Sequence, residues 1–212
     1  MKQYIFGLNP VKPNKRIFKF LESTQKELKS FFGVTIENPF VFFIESRRDM
    51  DRIIGRKTKQ WESGWAENNS IFILNPKIYT KESSHKDIEH FWQVLKHEYC
   101  HLYFTKITGG SLPKWLNEGL ACYMADQVKK VPTKKKLLKV FDYYSKSDSR
   151  IYSIGYSWTK LLIDRFGKRK LLKLIKSVDC DTSERKFAKK FYQVYGFNYS
   201  KKDFDKVFDD YK

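Results

Sequence analysis

The spacing of hydrophobic positions changes along the chain, from short apolar runs near the N-terminus to helical repeats in the C-terminal half. Two runs rich in aromatic and β-branched residues, 39–45 and 70–74, predict strands. The segments 1–14 and 57–69 predict extended or irregular chain. Apolar residues at helical spacing predict helices over 16–32, 86–106, 137–144, 168–176, 184–195 and 201–211, a helix that begins after Pro113, and helical chain in the segment from Ile151 up to Gly167. Ser46 is a candidate cap for a short helix through Ile54. The pattern predicts an α+β protein with a small N-terminal mixed sheet and a helical C-terminal half.

The longest of these helices carries two histidines in the sequence HEYCH, at 97–101. Residues four apart lie one turn apart on the same face of a helix, so His97 and His101 can reach one metal ion. Glu98 stands beside them, in the position to act on a water that the metal binds. The apolar stripe of the helix falls nearly opposite the histidines. We therefore expect one face to pack on the core and the histidine face to line a cleft.

A third metal ligand is needed, because catalytic zinc sites take three protein ligands and keep one position open. Glu118 follows His101 by seventeen positions, in a helix predicted to begin after Pro113. A carboxylate among apolar residues is costly to bury unless a charge pairs with it, and a metal ion would do so. The alternative is an exposed glutamate on that helix. Cys100 lies within the motif, but its helix angle points away from the histidines, so we do not propose it as a ligand.

HEYCH followed by LPKWLNEGLA at 112–121 resembles the gluzincins, the zinc metallopeptidases of the thermolysin and M1-aminopeptidase type, and most nearly their peptidase MA-like group. The resemblance covers roughly residue 38 to the C-terminus and is strongest over 97–125. It implies a zincin-like fold with the HExxH helix at its centre, Zn²⁺ on His97, His101 and Glu118, and Glu98 as general base. It also implies hydrolysis of a peptide or protein substrate. The mixed nitrogen and oxygen ligands suit zinc.

The same resemblance implies two further parts of the site. Tyr152 opens the sequence YSIG, which matches a step at which the family's tyrosine donates a hydrogen bond to the oxyanion. A phenol suits this role because it donates without carrying charge; Tyr156, one turn later, is the alternative. The strand before the zinc helix is an edge strand in the family, where an extended substrate adds to the sheet. We expect this strand at Ile71, Phe72 and Ile73, with an ordinary interior strand as the alternative.

The chain departs from the family pattern at one important position. Related enzymes often have a carboxylate one turn after the glutamate ligand, where it orients a zinc histidine. Cys122 stands there in this chain, and the candidates to serve instead are Asn117 and Asp126. Nothing resembles the motif by which M1 aminopeptidases hold a free amine, so we expect an endopeptidase or a protease that acts on one dedicated protein. The alternative is an inactive zinc-bearing binding module.

Length and composition allow one compact domain over 1–212, with an α/β lobe over 1–107 and a helical lobe over 108–212. A hydrophobic content of 41% and an aromatic content of 17% are enough for a sizeable core. No apolar stretch is long enough for a transmembrane helix, and the N-terminus lacks a signal-peptide pattern. The sequence therefore predicts a cytoplasmic protein, with export of a longer precursor as the alternative.

The net charge of +18 predicts an attraction to polyanions such as nucleic acid or anionic lipid. Lysines are spread along the whole chain, and only 128–139 forms a dense basic run. Nucleic-acid-binding proteins usually concentrate their charge on one element. The spread therefore favours a lysine-rich proteome over a basic protein associated with nucleic acid, which stays a third alternative.

Overall fold

The computed structural model describes residues 15–209 and divides the chain into two compact units, the first ending at Tyr99 and the second beginning at Cys100. The predicted extended segment 1–14 and the last residues of the predicted C-terminal helix lie outside the described residues. The sequence predicts a boundary between lobes after residue 107. The first unit ends and the second begins inside the helix that carries HEYCH, and the lobe boundary after residue 107 stays a prediction.

The first unit combines helices with a small sheet. Its described elements are α1 (Lys15–Phe32), β1 (Phe40–Ile44), α2 (Arg47–Ile54), β2 (Gly64–Glu67), β3 (Ser70–Leu74), α3 (Tyr79–Glu82) and the start of α4 (Glu89–Thr108). Local signals set the ends of α2, since the Ser46 side chain accepts a hydrogen bond from the Asp49 backbone N–H at 3.1 Å. Gly55 ends this helix with a φ of 77°. The strand β2 lies in the segment predicted to be irregular, so that prediction is wrong.

Within the described residues, β3 is the central strand of a three-stranded mixed sheet of order β1-β3-β2. It pairs with β1 in parallel and with β2 in antiparallel fashion. The prediction that Ile71, Phe72 and Ile73 form an edge strand is therefore wrong, because β3 bonds to a neighbour on each side. Ile71 and Ile73 are fully buried, as the alternative of an interior strand predicts. The strand β2 is an edge of this sheet.

The two faces of the sheet have different surroundings. Phe43 lies on the face towards α4, with its ring centroid 6.2 Å from that of Phe91. Side chains alternate between faces along a strand, so Phe42 lies on the opposite face. The register pairs Phe42 with Phe72 and Phe72 with Trp65, which places these three rings in one row on that face. All three are partly exposed.

All regular elements in the described part of the second unit are helices. After the end of α4 it contains α5 (Lys114–Met124), α6 (Lys134–Leu137), a 3-10 turn (Leu138–Tyr143), α7 (Ile151–Phe166), α8 (Lys168–Ser177), α9 (Glu184–Tyr195) and α10 (Lys201–Asp209). Together with the small mixed sheet of the first unit, these helices confirm the predicted α+β class. Among the described residues, no helix has the length and apolar character needed to cross a membrane.

Two glycines set the packing of α5 against α7. A Cβ added to Gly119 would lie 2.2 Å from the Gly155 carbonyl oxygen, and a Cβ added to Gly155 would lie 2.3 Å from the Trp115 carbonyl oxygen. Protein interiors are close-packed, and contacts this short cannot be accommodated without movement of the backbone. The close crossing therefore places Gly119, the residue after Glu118, against Gly155 of α7. Gly155 lies about one turn after Tyr152.

Candidate metal centre

The central turns of α4 carry His97, Glu98 and His101. His97 is 6% exposed and Glu98 is 7% exposed, and the His101 side chain retains 15% of its exposure. Every residue from 94 to 100 is buried. The apolar stripe and the histidine face are therefore both largely buried at these turns, and the cleft along the histidine face stays a prediction.

His97, His101 and Glu118 form a group that could hold a metal ion. Each offers one ligand atom, and these atoms lie within 4.8 Å of one another. Nε2 of His101 is 3.6 Å from Oε2 of Glu118. Ligands at zinc-binding distance in a tetrahedral arrangement lie about 3.3 Å apart, so this pair is close to the separation that a shared ion needs. The Glu118 side chain is 20% exposed, which differs from the alternative of an exposed helix glutamate.

Asn117 orients one of the candidate ligands. Its Oδ1 lies 2.7 Å from Nδ1 of His101, and its Nδ2 donates to the Ser111 carbonyl oxygen at 3.4 Å. With the amide nitrogen turned to Ser111, the amide oxygen accepts from Nδ1–H of His101. This tautomer leaves the Nε2 lone pair for a metal, on the side where Glu118 lies.

The other residues considered for this orienting role have different surroundings. Cys122 is fully buried in α5. Asp126 is exposed, just beyond the end of α5, with a φ of 54°. Adjacent residues of one helix thus supply both the candidate carboxylate ligand, Glu118, and the amide on His101, Asn117. A role for Asp126 stays a prediction.

Glu98 is packed against the edge strand β2. A Cβ on Gly64 would lie 3.3 Å from Cγ of Glu98, 3.3 Å from Cγ1 of Val94 and 3.0 Å from the Phe72 carbonyl oxygen. These distances are tighter than most contacts of a real Cβ, so the glycine favours the close approach of the strand to α4. This contact was not predictable from the sequence, because residues 57–69 show no strand pattern that would distinguish Gly64 from a glycine in a turn.

Tyr79 forms a buried polar network in the first unit. Its hydroxyl lies 2.8 Å from Nδ1 of His90 and 3.2 Å from Oγ of Ser63, and the residue is fully buried. Burial raises the pKa of Tyr79 to about 12, and the negative charge of Glu98 contributes in the same direction. Tyr79 is therefore a neutral neighbour of Glu98 at physiological pH. Tyr79 was not a predicted site residue, because it stands outside any recognisable motif.

Both tyrosines considered for oxyanion stabilisation lie in the first two turns of α7. Tyr152 is half-buried and Tyr156 is 7% exposed. The glycine crossing with α5 falls between them, at Gly155. The assignment of Tyr152, with Tyr156 as the alternative, stays a prediction.

Comparison of the chain with models of known protein families and with curated protein sequences gives no match. The resemblance to gluzincins therefore depends on the residues of the candidate metal centre, and it stays a hypothesis.

Proposed function

We propose that this protein is a gluzincin-type zinc metallopeptidase with a zincin-like fold, which hydrolyses bonds within peptide or protein substrates. One observation carries the proposal: ligand atoms of His97, His101 and Glu118 lie within 4.8 Å of one another, and Glu98 directly follows His97 in the HExxH sequence. Two histidines four residues apart on a helix, with a glutamate beside the first, are typical of zinc peptidases.

The donor set fits zinc. Two imidazole nitrogens and one carboxylate oxygen are ordinary zinc ligands, and three protein ligands leave one coordination position for water or substrate. The Asn117 contact supports this, since zinc-binding histidines usually donate their second ring N–H to an oxygen. A zinc ion held by these residues would lower the pKa of a water molecule towards neutrality and polarise the substrate carbonyl.

Glu98 would move the proton in this reaction. As the water attacks the carbonyl carbon, the carboxylate of Glu98 accepts a proton from it, and the acid so formed gives that proton to the leaving amine. Burial of Glu98 to 7% exposure limits competing exchange with bulk water. We assign the hydrogen bond to the oxyanion to Tyr152, with Tyr156 as the alternative, because a phenol donates without introducing charge.

We assign substrate pairing to β2 instead of β3. The Leu74 N–H donates to the Ser63 carbonyl oxygen at 3.0 Å, so Ser63 faces β3. Backbone groups alternate in direction along an antiparallel strand, and those of Gly64 and Ala66 therefore point away from β3. An extended peptide can add to the sheet there by main-chain hydrogen bonds. The contact between Gly64 and Glu98 would bring such a peptide to the general base.

Removal of the metal tests the proposal. The zinc-loaded protein is incubated with a complex peptide mixture, and new termini are identified by mass spectrometry. We expect cleavage within peptides, loss of cleavage on addition of a zinc chelator, and recovery with added zinc but not magnesium, since magnesium prefers oxygen ligands in octahedral geometry. Cleavage that persists without metal would contradict the proposal. Absence of cleavage by the zinc-loaded protein would also contradict it and would favour an inactive zinc-bearing module.

A further inference from the structure

We infer that Trp65 selects the substrate: an extended peptide paired with β2 places an aromatic side chain against the Trp65 indole, within about two residues of the cleaved bond. This inference rests on the proposed function, because it names the substrate class of the same site. Its basis is a row of stacked rings that crosses the sheet and ends at the edge strand beside Glu98.

The row is regular in both register and geometry. The rings of Trp65 and Phe72 have centroids 4.7 Å apart and planes inclined by 7°, and those of Phe72 and Phe42 are 5.0 Å apart and inclined by 18°. Each ring belongs to a directly paired residue on the neighbouring strand. Cross-strand aromatic pairs stabilise a sheet through such contacts. A strand added to β2 would continue this row with the side chain opposite Trp65.

The backbone of β2 favours close contact at this position. Since Gly64 and Ala66 present their N–H and C=O groups outward, they would form the main-chain hydrogen bonds with an added strand. In an antiparallel arrangement the peptide residue opposite Trp65 then occupies a non-hydrogen-bonded pair, in which Cα atoms are about 4.5 Å apart and side chains approach most closely. The Trp65 ring is held in place by its own bond, as Nε1 donates to Oε1 of Glu67 at 3.2 Å.

Side chains of an added strand alternate between the two faces of the sheet, and this alternation relates the contact with Trp65 to the position of Glu98. A peptide residue opposite Gly64 directs its side chain to the face where Glu98 lies, and its neighbour directs its side chain to the Trp65 face. The peptide group beside Glu98 is thus next to the residue that stacks on Trp65. Nearly parallel planes in the existing row favour a flat ring over a branched aliphatic side chain. We therefore expect phenylalanine, tyrosine or tryptophan there.

Peptide binding tests this selection separately from turnover. The probes are seven-residue, end-blocked, fluorescein-labelled peptides of alanine and serine that differ only in a central phenylalanine, leucine or alanine. Binding is measured by fluorescence anisotropy to zinc-loaded Glu98→Gln, which cannot consume the probe. We expect the phenylalanine peptide to bind about 3- to 10-fold more tightly than the leucine peptide. Trp65→Leu in the same background should abolish this preference, and Trp65→Phe should retain it.

Trp61→Leu is the matched control, because it removes another partly buried tryptophan from the same unit and should keep the preference. Equal affinity for the phenylalanine and leucine peptides, or a preference that survives Trp65→Leu, overturns the inference. The inference is also overturned if the protein self-associates in sedimentation in a way that depends on Trp65 and shows no preference among the peptides. The row of rings would then serve contacts between copies of the chain. Incubation of the zinc-loaded native protein with the same peptides reports cleavage independently. Selection without cleavage would support the contact between Trp65 and an aromatic peptide side chain, and it would count against the peptidase proposal.

Discussion

Replacement of Glu98 by glutamine is expected to reduce peptide hydrolysis by about 100- to 10,000-fold, the usual contribution of a positioned general base. Glutamine has nearly the same size and shape as glutamate, so the packing against Gly64 should be preserved. It cannot accept a proton from water, however, because its amide oxygen is far less basic than a carboxylate. Zinc content should be unchanged, since Glu98 is not among the three candidate ligands.

The measurement compares kcat/KM and bound zinc for the native protein, Glu98→Gln and Glu89→Gln. Glu89 is the matched control because it makes the same substitution on the same helix, and its side chain is 67% exposed. We expect Glu89→Gln to keep near-native activity. Full activity in Glu98→Gln would remove the general-base assignment, and loss of zinc from it would indicate that Glu98 helps to hold the metal.

The second large effect is expected from Gly119→Ala. Its new methyl group would lie 2.2 Å from the Gly155 carbonyl oxygen, a backbone atom that cannot rotate aside. Overpacking of a core usually costs about 1–3 kcal/mol, and we expect a cost at or above the upper end here because α5 and α7 must separate. Glu118 is the preceding residue, so zinc affinity should fall together with stability.

Urea denaturation of the metal-free proteins and competitive zinc titration measure these two effects. Gly110→Ala is the matched control in the same unit, since a Cβ there would meet no atom closer than 3.7 Å, from Cys180. We expect Gly110→Ala to change the urea midpoint little. A native urea midpoint for Gly119→Ala would contradict the close crossing of α5 and α7.

The features predicted correctly from the sequence are those that depend on the residue pattern of a single helix or strand. Local apolar runs predicted β1 and β3, helical spacing predicted α4 close to its observed bounds, and Gly167 marked the end of α7. The spacing of His97 and His101 needs only the geometry of one helix. Glu118 was identified because a carboxylate among apolar residues calls for a compensating charge, and its ligand atom lies within reach of both histidines.

Features that depend on contacts between elements were not predictable in this way. The strand β2 has four residues, too few for a clear alternating pattern, and its pairing made β3 an interior strand. The burial of residues 94–100 in the middle of α4 depends on neighbours that the periodicity of the helix does not reveal. The contact of Gly64 with Glu98 and that of Gly119 with Gly155 join residues more than thirty positions apart. A single sequence does not distinguish such glycines from those in turns.

Metal content is the most direct test of the central claim that His97, His101 and Glu118 bind the same ion. The native protein, Glu118→Ala and the exposed control Glu184→Ala are dialysed against a zinc buffer and analysed for bound metal. We predict about one zinc ion per chain for the native protein and the control. Removal of a residue that only orients a metal ligand lowers metal affinity by about 10- to 100-fold. For Glu118→Ala we predict a larger loss of zinc affinity, because a ligand itself is removed. Native zinc affinity in Glu118→Ala would contradict the shared site.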